Sequence, residues 1–307
     1  GYANKKDDDE SSIANFDAYD EDPRIMFNLP NLTYLYLDAI GMYNFSNSTK
    51  LTVIRVVMAT SASKHVANFR LFKKLREVIV DELLYYSSTA SIFKLPLSRI
   101  NVVFKKNMKP ERYILLKSLD LHFRSNVEES KVVEFLKNLK LRELKIPHIL
   151  GINEAIKDMP LETLTLDSFE SENYSLQLNN RFIKKLSVTS DRIEFSQLKL
   201  PNLHVLKLCD CKITADAILP IKHLTLDNCN LPVDIKNMNL ISLTIINPSA
   251  PIKLCHLPSS LLTLVMSDVD TDYSEFPHLP KLTKLHVQEF DYGDEEDDSE
   301  EEEDEDE

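Results

Sequence analysis

The sequence predicts an α/β repeat solenoid: one curved parallel sheet of about 13 short strands, with a convex side that is mostly non-helical and carries a few helices. Three observations lead there. An apolar pattern of one form recurs along the chain, only four of the 307 residues are glycine, and the excess negative charge is gathered at the two ends.

The pattern is an apolar residue, two variable positions, an apolar residue, one variable position and a further apolar residue. Its clearest copies are LKSLDL at 116–121, LETLTL at 161–166, LHVLKL at 203–208, IKHLTL at 221–226, LISLTI at 240–245 and LTKLHV at 282–287. With the fourth letter as anchor, copies fall at Leu35, Ile54, Val78, Ile100, Leu119, Leu144 and Leu164, then at Leu186, Leu206, Leu224, Leu243, Leu264 and Leu285, at intervals of 18–25 residues. Alternate side chains of a strand point to one side, so the last two apolar residues of each copy enter a core and their neighbours face solvent. One copy alone leaves its apolar edge open. Stacked copies pair their strands in parallel and close a continuous core.

Taken along the chain, residues 1–28 are expected to form an acidic segment or thin cap, with apolar residues scattered from Ile13 to Phe27. The solenoid follows over 29–290. Three of its connections read as helical: 61–75; 128–139, where Val132, Val133, Phe135, Leu136 and Leu139 fall at helical spacing; and the short ADAIL at 215–219. Pro160, Pro201, Pro220, Pro258 and Pro280 precede strands, where a missing N–H costs least. Residues 291–307 carry 14 acids and no base. Such a run repels itself and cannot bury apolar surface, so it is expected to be a disordered acidic tail. With both acidic ends set aside, residues 23–290 hold 34 bases against 27 acids.

Composition also excludes function classes. Dinucleotide folds, P-loops, nucleophile elbows and kinase phosphate loops need clustered glycines, and Gly1, Gly41, Gly151 and Gly293 are far apart. No apolar run approaches the ~18 residues that cross a bilayer, and the first residues lack the apolar core of a signal peptide. A cytoplasmic or nuclear location without membrane contact is expected. A first residue of Gly rather than Met suggests a processed chain or part of a longer protein. The eight histidines show no HExxH spacing, so neither catalytic residue nor cofactor is assigned. Strand alternation turns Cys211 and Cys229 inward and Cys209 outward, so no metal site is assigned either.

Two copies extend further. LHVLKLCDCKI (203–213) and IKHLTLDNCNL (221–231) place Cys211 and Cys229 where the leucine-rich-repeat superfamily has Asn or Cys, and the chain resembles that superfamily over roughly residues 29–290. The resemblance implies a non-enzymatic scaffold that recognises a protein partner on its concave face. The irregular short repeats look like those of substrate receptors in F-box-type ubiquitin ligases, which implies a substrate-recognition role. An alternative comes from the tail, which is similar in composition to that of small nuclear leucine-rich-repeat phosphoprotein inhibitors. It implies an acidic chaperone for histones or other basic proteins.

On the concave face the candidate residues are Tyr34, Tyr36, Arg55, Arg99, Lys145, Lys185, Lys207, His223, Lys284 and His286. Tyr34 and Tyr36 are amphipathic rings of the kind enriched in interface hot spots. The lysines and histidines lend the face a basic tint suited to an acidic peptide, a phosphorylated segment or the chain's own tail. Nucleic acid is not expected as a partner, since the bases are dispersed and no aromatics interleave with them.

Overall fold

The computed structural model describes residues 25–26, 31–39, 43–44, 50–60, 74–85, 97–104, 108–123, 127–167, 176–189, 192–214, 217–231, 233–271 and 278–288. Within them, 13 strands form one sheet. They are β1 (Tyr34–Ala39), β2 (Val53–Thr60), β3 (Glu77–Tyr85), β4 (Leu97–Val103), β5 (Ser118–His122), β6 (Glu143–Pro147) and β7 (Thr163–Asp167). There follow β8 (Lys185–Thr189), β9 (Val205–Cys209), β10 (His223–Asp227), β11 (Ser242–Ile246), β12 (Thr263–Ser267) and β13 (Lys284–Gln288). Spatial order equals chain order, and every pairing is parallel. The architecture is a solenoid-like α/β repeat in which each unit between the two ends stacks on its two neighbours.

The alternation anticipated from sequence is present from β5 to β12, whereas all five residues of β13 are exposed. In β5, Leu119 and Leu121 are buried, while Ser118, Asp120 and His122 are half-exposed; β7, β11 and β12 repeat the scheme. Eleven of the twelve expected anchor pairings occur, from Leu35 opposite Ile54 to Leu264 opposite Leu285. The exception is Val78 with Ile100. Val78 instead faces Leu97, and Ile100 faces Val80, because the nine-residue β3 carries register breaks at Val78/Ile79 and Val80/Leu83. An irregularity of this kind sets unequal numbers of residues against each other and shifts all that follows.

The helix α1 (Glu129–Lys137) forms within the anticipated 128–139 segment. Glu129 in its first turn and Lys137 in its last complement the helix dipole. Its buried stripe is Val132, Phe135 and Leu136, at the i, i+3, i+4 spacing, and the Phe135 ring meets Phe104 and Tyr113 edge-on at 5.6 and 5.5 Å. Beside it lies α2 (Ile152–Ile156), which the sequence reading did not anticipate. It starts at Gly151, whose φ of 79° is strained for any residue with a Cβ. These are the only α-helices among the described residues. Of the other expected helices, 61–73 and 215–216 lie outside the described residues, and 217–219 are not helical. Leu219 is buried there without regular secondary structure. No helix among the described residues is long and apolar enough to cross a membrane.

Asn180, 1% exposed, ties α2 to the segment that leads into β8. Its Nδ2 donates to the carbonyls of Ile156 (2.6 Å) and Met159 (3.0 Å), and its Oδ1 accepts from the N–H groups of Phe182 (2.7 Å) and Ile183 (3.2 Å). One buried amide thus bonds four backbone groups, of which the two N–H groups have Asn180 as their partner and the two carbonyls also accept from Met159 and Leu161 N–H.

A second recurring device follows β9 to β12. Asp210, Asn228, Asn247 and Asp268 adopt φ of 53°, 49°, 43° and 51°. Among residues with a Cβ, Asn and Asp visit this left-handed region most readily. The backbone N–H of each donates to the next strand's last residues, at Asp227, Ile246, Ser267 and Gln288, over 2.9–3.0 Å, so the turn extends the ladder by one rung.

Candidate functional site

Residues that face out of the core make up the open face of the sheet. Three columns cross it: a leading one from Tyr34 to Lys284, a central one from Tyr36 to His286 and a trailing one described from Val103 to Gln288. Neighbouring strands lie ~4.8 Å apart, so side chains level with each other touch and those two strands away do not.

At the first strand the candidates converge. Tyr34 and Tyr36 are each 50% exposed, and β2 sets Val53 and Arg55 opposite them. The Arg55 guanidinium sits 5.9 Å from the Tyr36 ring centroid, within cation–π range. Half-buried Ile79 of β3 continues this apolar patch beyond Arg55. Arg99 is exposed on β4, and the register shift sets it against Ile79 rather than Glu77.

In the middle, Lys145 is a correction to the basic tint. Its Nζ lies 3.2 Å from Asp167 Oδ2 on β7 and 4.0 Å from Asp120 Oδ2 on β5. The hydrogen bond to Asp167 and the two carboxylates raise its pKa above 10.5 against partial desolvation. Lys145 therefore answers two internal acids, and the locality carries more negative than positive charge. His122 Nε2 stands 3.1 Å from Asp120 Oδ1, an ion-pair distance, yet that buried oxygen receives no hydrogen bond. Sequence reasoning missed Asp120, His122 and Asp167 as a group, although all three stand in the outward columns next to Lys145.

Farther on, Lys185 and His223 flank Val205 in the leading column, and Lys207 stands between Ser187 and Thr225 in the central one. Lys284 and His286 lie on β13, separated from these by β11 and β12 with Ser242, Thr244, Thr263 and Val265. The ten candidates thus form an aromatic cluster with Arg55, the isolated Arg99, the neutralised Lys145 and two cationic groups.

Cys211 and Cys229 are buried side by side in successive repeats, and Cys209 is half-exposed, as alternation requires. Cys211 donates its N–H to Cys229 Sγ at 3.2 Å. The Cys211 thiol and this N–H bring the Cys229 pKa down to about 7, against desolvation. Desolvation, with the nearby Asp210 carboxylate, pushes Cys209 up to about 11. Among the described residues no three His, Cys, Asp or Glu side chains gather as a metal site. The chain matches no protein-family model and no curated protein.

Proposed function

We propose that this chain is a leucine-rich-repeat protein that recognises a protein partner across the open face of its sheet, with the first strands as the anchoring end. One observation carries the reading: Tyr34 and Tyr36 stand half-exposed beside Arg55, which combines the three side-chain properties most enriched in interface hot spots, namely ring area, a polar tip and a guanidinium. The sheet beneath is continuous and holds the backbone of these residues in a parallel ladder with β2, which lowers the ordering cost on binding. Substrate recognition within an F-box-type ubiquitin ligase is the specific role this reading favours. It rests on the short irregular repeats.

The test uses the full chain as bait in extract of its native cells, compared with the double variant Tyr34→Ala/Tyr36→Ala. Loss of a co-purifying protein by ~30-fold or more, the ~2 kcal/mol of one truncated hot spot, supports the face. Equal recovery by both baits overturns it. Recovery of a cullin-type adaptor with the same partner supports the ligase role. A second reading rests on the 14 acids of 291–307, which suit an acidic chaperone for histones or other basic proteins. Histone binding at moderate salt that survives neutralisation of those acids excludes it.

A further inference from the structure

Because all 13 strands run in one direction, every strand start lies along one rim of the sheet and every strand end along the other. The two rims differ in charge. Taking for each strand its leading-column residue and the three before it, the start rim carries twelve Lys or Arg and three Glu. All twelve cations are exposed except half-buried Lys222. For the trailing-column residue and the three after it, the described residues carry eight Asp or Glu against Arg192 and Lys212. The imbalance is greatest from β8 to β13, where the start rim holds Lys184, Lys185, Lys222, Lys281 and Lys284 and no acid of its own. Among the described residues only one of the five meets an acid across the rim: Lys184 Nζ lies 3.0 Å from Glu162 of the preceding unit, whose carboxyl it holds below the usual range.

We propose that the start rim from β8 to β13 is the docking surface for the acidic segment 291–307 of the same chain. That segment follows closely on Gln288, at the acidic rim, where Asp268, Asp270 and Asp227 repel it. The cationic rim is within reach. Crossing β13 takes ~17 Å and five strand spacings take ~24 Å, a path of ~41 Å, while 17 extended residues span up to ~56 Å. A tethered segment acts at an effective concentration of order millimolar, so individually weak exposed ion pairs add to a stable contact. A single-stranded nucleic acid fits this stretch less well. Its single phenyl or phenol ring, Phe182, is half-buried with the Arg181 guanidinium over it at 4.8 Å, so it offers no row of ring faces for stacking bases.

Zero-length carbodiimide crosslinking of the full chain, dilute and at low salt, tests this by mass spectrometry. Links from carboxylates of 291–307 are expected on Lys184, Lys185, Lys222, Lys281 and Lys284, and they are lost at 1 M salt, where the Debye length falls to ~3 Å from ~10 Å at 0.1 M. The variant Lys184→Glu/Lys185→Glu is expected to lose the Lys222 links as well, with its circular dichroism melt retained. The control Lys131→Glu/Lys137→Glu on α1 is expected to keep them. Links spread equally onto Lys131 and Lys137, or no links at all, overturn the proposal. So do links that join only isotope-labelled to unlabelled chains, which assign the rim to a second copy. Shielding of the rim lysines from acetylation by polyuridylate, with no links from 291–307, assigns the rim to nucleic acid and overturns it too.

Discussion

At the level of single residues, polar side chains inside the stack matter more than charges on it. Asn180→Ala removes one side chain and strands the N–H groups of Phe182 and Ile183, while the carbonyls of Ile156 and Met159 each lose one of two donors. At roughly 1–3 kcal/mol per buried unsatisfied group, partly relieved by relaxation, a loss of ~3 kcal/mol is expected in urea unfolding. Lys145→Met disturbs three charges, but Lys145 is 43% exposed, and removing it is expected to cost only ~0.2–1 kcal/mol. Its raised pKa fixes the pH window. The contribution is complete below the ordinary 10.5 and fades as pH rises through the higher folded value, so the cost of Lys145→Met is equal at about pH 7 and about pH 9. Thiols respond to access as well as acidity. Cys229 has the lowered pKa but is 1% exposed, whereas Cys255 is exposed. Iodoacetamide followed by peptide mapping is expected to find Cys255 modified first, with Cys211 and Cys229 reacting only on unfolding.

Among elements, the strands were the legible part and the turns were not. An apolar–variable–apolar triplet signals a strand because burial on one face has period two, and anchors such as Leu206 and Leu224 landed opposite each other. The register slip at Val78 left no trace in that pattern, since β3 is apolar at several successive positions (VIV, LL) and offers more than one alignment. Helix α2 escaped because INEAI is a single turn or so, too short for a period to show. The left-handed turn residues escaped because Asp or Asn after a strand reads equally as a solvated loop. Their backbone angles give a test: Asn247→Gly is expected to be neutral within experimental error, whereas Asn247→Val costs ~1–2 kcal/mol, measured by thermal melting. For the candidate face, columns could be read from the alternation alone. Which cations remain available to a partner could not, because Lys145 meets Asp120 and Asp167 from two different strands.

For the molecule as a whole, stability is distributed unevenly along the stack. Leu264 and Met266 of β12 are 0% exposed, but their counterparts Leu285 and Val287 of β13 are 51% and 41% exposed. Leu264→Ala is expected to cost ~3 kcal/mol and Leu285→Ala less than ~1 kcal/mol, since the penalty follows the apolar contact and cavity left behind. Hydrogen exchange provides an independent reading: amides of β13 exchange faster than those of β9 and β10, which have a neighbour on each side. The strictly sequential strand order has a mechanical consequence. Tension applied along the stack acts in line with the hydrogen bonds between strands, so they open one pair after another instead of shearing together. The protein should yield at low force from its β13 end, in a series of small steps each releasing one unit of 18–25 residues, much as a zip fastener opens.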